Sequence, residues 1–136
     1  MSFVSSNILL IGLAVISGGM LLWPTLKSGK GGASVTPSEA VLMINRQNAI
    51  VLDVRDASEF ANGHIGDAKH IPLAELDTRL KELTKYKAKP VIVNCQVGGR
   101  SAKACDILRK NDFTQIHNLQ GGLNAWVQAK LPIIRT

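Results

Sequence analysis

Pro90-Val-Ile-Val-Asn-Cys95-Gln-Val-Gly-Gly-Arg100-Ser101 is an apolar run that ends on a cysteine. Four residues follow, two of them glycine, before an arginine and a helix-like segment. A strand that empties through a tight loop onto a helix N-terminus builds an anion cradle. Its backbone N–H groups converge, and the helix dipole adds positive potential. A cysteine at the mouth of such a cradle should ionise near neutral pH. A free thiol titrates near about 8.5, and a helix N-terminus or a nearby cation lowers that to roughly 3.5–7.5. The pattern therefore predicts that Cys95 is a nucleophile rather than a packing residue.

Outward from this stretch, strands alternate with helices. Thr36-Pro37-Ser38-Glu39 reads as a helix start, with Thr36 as cap and Glu39 completing a capping box. Val41 and Ile44 give that helix an apolar face up to about Gln47. Residues 49–54 form a short continuous apolar run, the pattern of a strand buried on both faces. Residues 58–62 read as a brief helix stopped by Gly63. Residues 70–72 hold only a minimal strand. Leu76, Leu80 and Leu83 recur at helical spacing and predict an amphipathic helix over 74–86. Residues 90–94 and 115–119 are further strands, and 101–110 and 123–130 further helices. The order predicts an α/β fold with a mostly parallel central sheet of about five strands and helices on both faces. Ligands of such sheets bind beyond the carboxyl ends of the strands. Asp53 and Cys95 both fall at carboxyl ends, so both belong on that rim.

The chain of 136 residues is 46% hydrophobic and 19% charged, which is ordinary for a globular protein. The charge is unevenly placed. No charged side chain precedes Lys27, so the net charge of +6 belongs to the remainder. Residues 4–26 are apolar, and 23 residues at about 1.5 Å each reach roughly 34 Å, enough for a bilayer core. Trp23 takes an interfacial position, with Lys27 and Lys30 after it. No positive stretch precedes the apolar one, which argues against a cleaved signal peptide. The expected organisation is a transmembrane anchor over 1–27, a flexible linker over 28–34 and one domain over 35–136. The positive flank predicts a single-pass cell-membrane protein with its domain facing the cytoplasm. Two cysteines are too few for a disulfide framework and suit a reducing compartment.

Several motifs resemble one family. Leu52-Asp-Val-Arg55, Glu59-Phe60, Gly63-His64-Ile65, Ala68 and Ile71-Pro72 resemble the first signature of rhodanese-like domains. Cys95-x-x-Gly98-x-Arg100-Ser101 is similar to their active-site loop. Leu119-Gln-Gly-Gly-Leu-Asn-Ala-Trp126, followed by Leu131-Pro132, resembles their closing signature. The match spans about residues 35–134. Asp67 and Lys130 stand where the family usually has glycine, and Gln96 where many members carry arginine.

The resemblance implies a sulfurtransferase. Thiolate Cys95 would take a sulfane sulfur from a small donor, hold it as a persulfide, and pass it to a thiol or to cyanide. The loop Gln96, Val97, Gly98, Gly99, Arg100 and Ser101 would bind the outer sulfur. In the family, the residues matching Asp53 and Arg55 support the loop. Arg100 either adds charge to the pocket or turns inward and braces the loop. Two rivals stand beside this reading. A cysteine phosphatase or arsenate reductase uses a cradle of the Cys-x5-Arg type, whereas four residues separate Cys95 from Arg100. A non-catalytic module would bind a partner at the membrane.

Other residues carry blander readings. Cys105 is read as a small buried residue, with a resolving thiol as the alternative. His64, His70 and His117 have no partners at metal-ligand spacing, so neither metal nor cofactor is expected. Lys81, Lys85, Lys87 and Lys89 form a solvated basic face, or one drawn to anionic lipid. No aromatic residues interleave with them, so nucleic acid is not an expected partner. The lipid bilayer and a membrane protein are.

Overall fold

The computed structural model describes residues 33–135. The chain runs β1 (Ala33–Val35), α1 (Pro37–Gln47), β2 (Ile50–Asp53), α2 (Ala57–Asn62), β3 (Lys69–His70), β4 (Val91–Asn94), α3 (Gly99–Lys110), β5 (Ile116–Leu119) and α4 (Gly122–Gln128). The five strands form one sheet in the order β1-β5-β4-β2-β3, every pairing parallel. Parallel neighbours need crossovers, and the helices supply them on both faces.

Strand alternation divides the core in two. Leu52, Val54, Val91, Val93 and Cys95 point to one face, against Leu83, Ala104 and Leu108. Val51 and Ile92 point to the other, against Ala40, Leu123 and Trp126. Each fully buried Leu, Ile or Val contributes roughly 1.5–3 kcal/mol over its exposed state. Every residue of β4 is buried, which is why the run reads as apolar on both sides.

Local signals hold where side chains decide them. Thr36 accepts from the Glu39 N–H at 3.2 Å, and Glu39 accepts from the Thr36 N–H at 3.1 Å. Asp67 and Lys130 both have φ of 61°, the left-handed region that glycine enters without strain. Turn geometry is thus kept where the side chain departs from glycine.

Two expectations are corrected. The amphipathic helix over 74–86 is instead a pair of 3₁₀ segments, Leu73–Glu75 and Leu80–Tyr86. Between the two segments the Arg79 N–H is shared by the Glu75 and Leu76 carbonyls, both at 3.1 Å, and the Thr78 hydroxyl also donates to Glu75, at 2.9 Å. Leu76 and Leu83 still bury fully, so the apolar spacing was right and the backbone tighter. Ala33 and Ser34, read as the end of the linker, are strand. They pair with His117 and Asn118, so the sheet begins two residues before the expected domain start. The anchor and the rest of the linker lie outside the described residues. Among the described residues no helix is long and apolar enough to cross a membrane.

Candidate active site

β4 ends at Asn94, and Cys95 is the next residue. α3 starts at Gly99, with Gly98 as its N-cap at φ 117°. That dihedral is open to glycine and strained for other residues, and it turns the loop back over the sulfur. The Gly98 N–H donates to Cys95 Sγ at 3.0 Å. The Ser101 hydroxyl lies 3.3 Å from Sγ. Burial pushes the Cys95 thiol up, since only 1% of the residue is exposed. The Ser101 hydroxyl and the N–H groups of Ser101, Gly98 and Val97 outweigh it, and the net shift is downward. Hydrogen bonds to the charged form therefore win over desolvation.

The loop rests on a buried ion pair. Asp53 is fully buried and Arg55 is 2% exposed. Arg55 donates to both Asp53 oxygens, its Nη2 at 2.8 Å. The same Nη2 donates to the Gly63 carbonyl at 2.7 Å, and Nη1 to Gln96 Oε1 at 3.1 Å. Gln96 passes the contact on, its Nε2 donating to Asn124 Oδ1. Removing one partner of such a pair costs about 3–5 kcal/mol, because a buried charge is left alone.

Arg100 is paired with Glu59, and the charge of Cys95 also acts on it. Its two terminal nitrogens donate to the two oxygens of Glu59 at 2.7 and 2.9 Å. Those bonds hold the Glu59 carboxyl down to about 2. They raise Arg100 above its ordinary value.

Further supports were not legible as site residues. The N–H groups of Leu123 and Asn124, at the start of α4, donate to the carbonyls of Cys95 and Gln96 at 2.8 and 3.1 Å. A Cβ on Gly122 would stand 2.4 Å from the Cys95 carbonyl oxygen. The closing Gly-Gly is therefore a requirement of contact with the loop as well as a helix entry. Asn118 donates to the Gly98 carbonyl at 3.3 Å and accepts from the Ser101 hydroxyl. The sequence signal for Gly122, Leu123 and Asn124 was their place in the closing signature, and Asn118, just before it, had none.

The remaining cysteine is different in kind. Cys105 is fully buried in α3, and burial pushes its thiol up to about 12. His64 and His70 stack on Phe60 with ring centroids 3.7 and 4.4 Å away. His70 Nε2 lies 2.7 Å from the Arg55 carbonyl, which can only accept, so that nitrogen carries the hydrogen. Both histidines thus fasten α2 and β3 beside the Arg55 turn.

A family model for the rhodanese-like domain matches residues 36–129. The chain belongs to the rhodanese-like family. The Bacillus subtilis protein named "uncharacterized protein YqhL" is 41% identical over 91 residues, covering 67% of this chain and 71% of that protein. A protein named sulfurtransferase from Allochromatium vinosum is 32% identical, covering 68% of this chain and 84% of its own. The crystal structure of a rhodanese-related protein from Thermoplasma volcanium superimposes with a TM-score of 0.68 at 29% identity, over 75% of this chain and 97% of that one. The rhodanese-like fold thus includes the five-stranded parallel sheet and the loop that ends at Ser101.

Proposed function

We propose that this protein is a sulfurtransferase that carries sulfane sulfur as a Cys95 persulfide. One observation carries the reading: the Gly98 N–H donates to Cys95 Sγ at 3.0 Å and the Ser101 hydroxyl lies 3.3 Å from it, at the start of α3, and the thiol is held below its ordinary value despite burial. In the first half-reaction the thiolate attacks the outer sulfur of a donor, and the donor's sulfur bond breaks toward its leaving group. In the second, a thiol or cyanide takes the outer sulfur and Cys95 returns as thiolate. The loop amides would hold the negative outer sulfur, so no separate base is required. Asp53 and Arg55 act as positioning residues through Gln96.

The apolar stretch over residues 4–26 would tether the domain to the cell membrane, with the domain in the cytoplasm and a donor or acceptor of the same membrane close by. This part rests on the sequence: an apolar span followed by Lys27 and Lys30.

Intact-mass measurement of the full chain after exposure to sulfur donors tests the central claim. The expected result is a gain of one sulfur that cyanide removes and that Cys95→Ser never acquires. A Cys95→Ser protein that gains the sulfur equally well would refute it.

A further inference from the structure

The charges around the loop cancel, and that restricts the donor. The segment from Gln96 to Ser101 carries a single cation, Arg100, and both Glu59 oxygens bind it. Arg55 reaches the loop through Gln96, and both Asp53 oxygens bind it. Gln96 is neutral, and both ends of its amide are engaged, by Arg55 and by Asn124. Beside the loop lies a cavity of about 270 Å³, lined by Arg55, Glu59, Gln96, Leu123 and Ile133 among others. Its charged groups are the same Glu59 and Arg55, each already paired, and its apolar side chains are Leu123 and Ile133. The remaining positive potential comes from amides and the α3 N-terminus, together worth about half a charge. That suits one negative sulfur.

We propose that the donor is a persulfide or polysulfide of low charge rather than a dianion such as thiosulfate; the proposal rests on the sulfurtransfer reading. Thiosulfate would bring two negative charges to a thiolate: Cys95–S⁻ plus S–SO₃²⁻ gives Cys95–S–S⁻ plus SO₃²⁻. Glu59 lies beside the loop on Arg100, and no uncompensated cation of the loop answers the added charge. A persulfide brings one negative charge at most, and none when it reacts protonated: Cys95–S⁻ plus R–S–SH gives Cys95–S–S⁻ plus R–SH. The donor's sulfur–sulfur bond breaks, a new one forms at Sγ, and the proton ends on the departing thiol. Leu123 and Ile133 suit the carbon part of R. The net charge of +6 attracts any anion from a distance, so the comparison belongs at about 0.15 M salt, where that attraction is screened beyond roughly 8 Å.

The test measures initial rates of one-sulfur gain on the full chain with thiosulfate, with cysteine persulfide and with an uncharged persulfidated peptide. Either persulfide should load at least about tenfold faster than thiosulfate. The faster of the two persulfides tells whether the source is a free thiol or a polypeptide. Gln96→Arg adds a cation at the mouth, and Glu59→Gln releases Arg100. Each should raise the thiosulfate rate relative to the persulfide rate by about fivefold, and circular dichroism reports whether each variant folds. Thiosulfate loading the unaltered chain as fast as the persulfides would overturn the proposal and leave sulfur transfer standing. So would two folded variants whose ratio stays fixed. A chain that gains sulfur from no donor refutes sulfur transfer and this proposal together.

Discussion

Cys95 and Cys105 sit in the same apolar cluster, 1% and 0% exposed, ten residues apart. Burial acts on both in the same direction, yet one thiol is lowered and the other is pushed up to about 12. The difference lies in what surrounds the sulfur. Cys105 lies within α3, where backbone N–H groups are spent on the helix ladder. Cys95 lies just before α3, where the first-turn N–H groups have no helical partner. Burial does not make a thiol inert. Burial without donors does.

Displacing the loop should break the contrast most completely. Gly122→Ala drives a Cβ against the Cys95 carbonyl, at a φ of 59° that side chains avoid. The amides then lose their aim, and sulfur uptake should fall by about a hundredfold, as reactive groups misplaced by an ångström do. Uptake at the unaltered rate would show that the loop does not depend on α4.

A gentler change removes one donor. Ser101→Ala deletes the hydroxyl 3.3 Å from Sγ and should move the Cys95 titration upward, seen in thiolate ultraviolet absorbance. The hydroxyl hydrogen has three acceptors in reach, Sγ, the Gly98 carbonyl and Asn118, so the loss at neutral pH is modest, about fivefold. An unmoved titration would assign the whole effect to the backbone.

Cys105→Ala examines the other partner. It should leave sulfur uptake intact and cost about 1 kcal/mol of stability through the small void it creates. Mild oxidation of the unaltered chain should yield no bridge between the two cysteines by mass, because a buried thiol near 12 supplies almost no thiolate.

The faintest effect concerns the outer brace. Glu59 is held at about 2, below its ordinary 4.5, so its pairing stabilises the fold fully above the ordinary value. That contribution fades as pH falls from about 4.5 toward 2. The pair is partly exposed, at 30% and 37%, and solvent screening limits it to about 1 kcal/mol or less. The stability gap between the unaltered chain and Glu59→Gln, read by denaturant unfolding, should therefore close in acid.

The elements that were legible were those whose signal is local. Thr36, Pro37 and Glu39 define a helix start through contacts three residues apart. β4 announces itself because both faces are buried. The 3₁₀ pair over 73–86 escaped, because the apolar spacing of Leu76, Leu80 and Leu83 does not by itself distinguish a tighter backbone from an α-helix. β1 escaped because three residues on a sheet edge carry no period, and Val35 is their single buried side chain.

The same division runs through the site. Cys95, the glycines after it and Ser101 are contiguous, so one short stretch of chain already specifies a donor-rich turn against a thiol. Glu59, Asn118, Gly122 and Asn124 reach that turn from α2, β5 and α4. So do the bonds that empty Arg55 and Arg100 of free charge. Hydrogen bonds act over about 3 Å, and pattern along a chain does not reveal which distant groups the fold will bring that close.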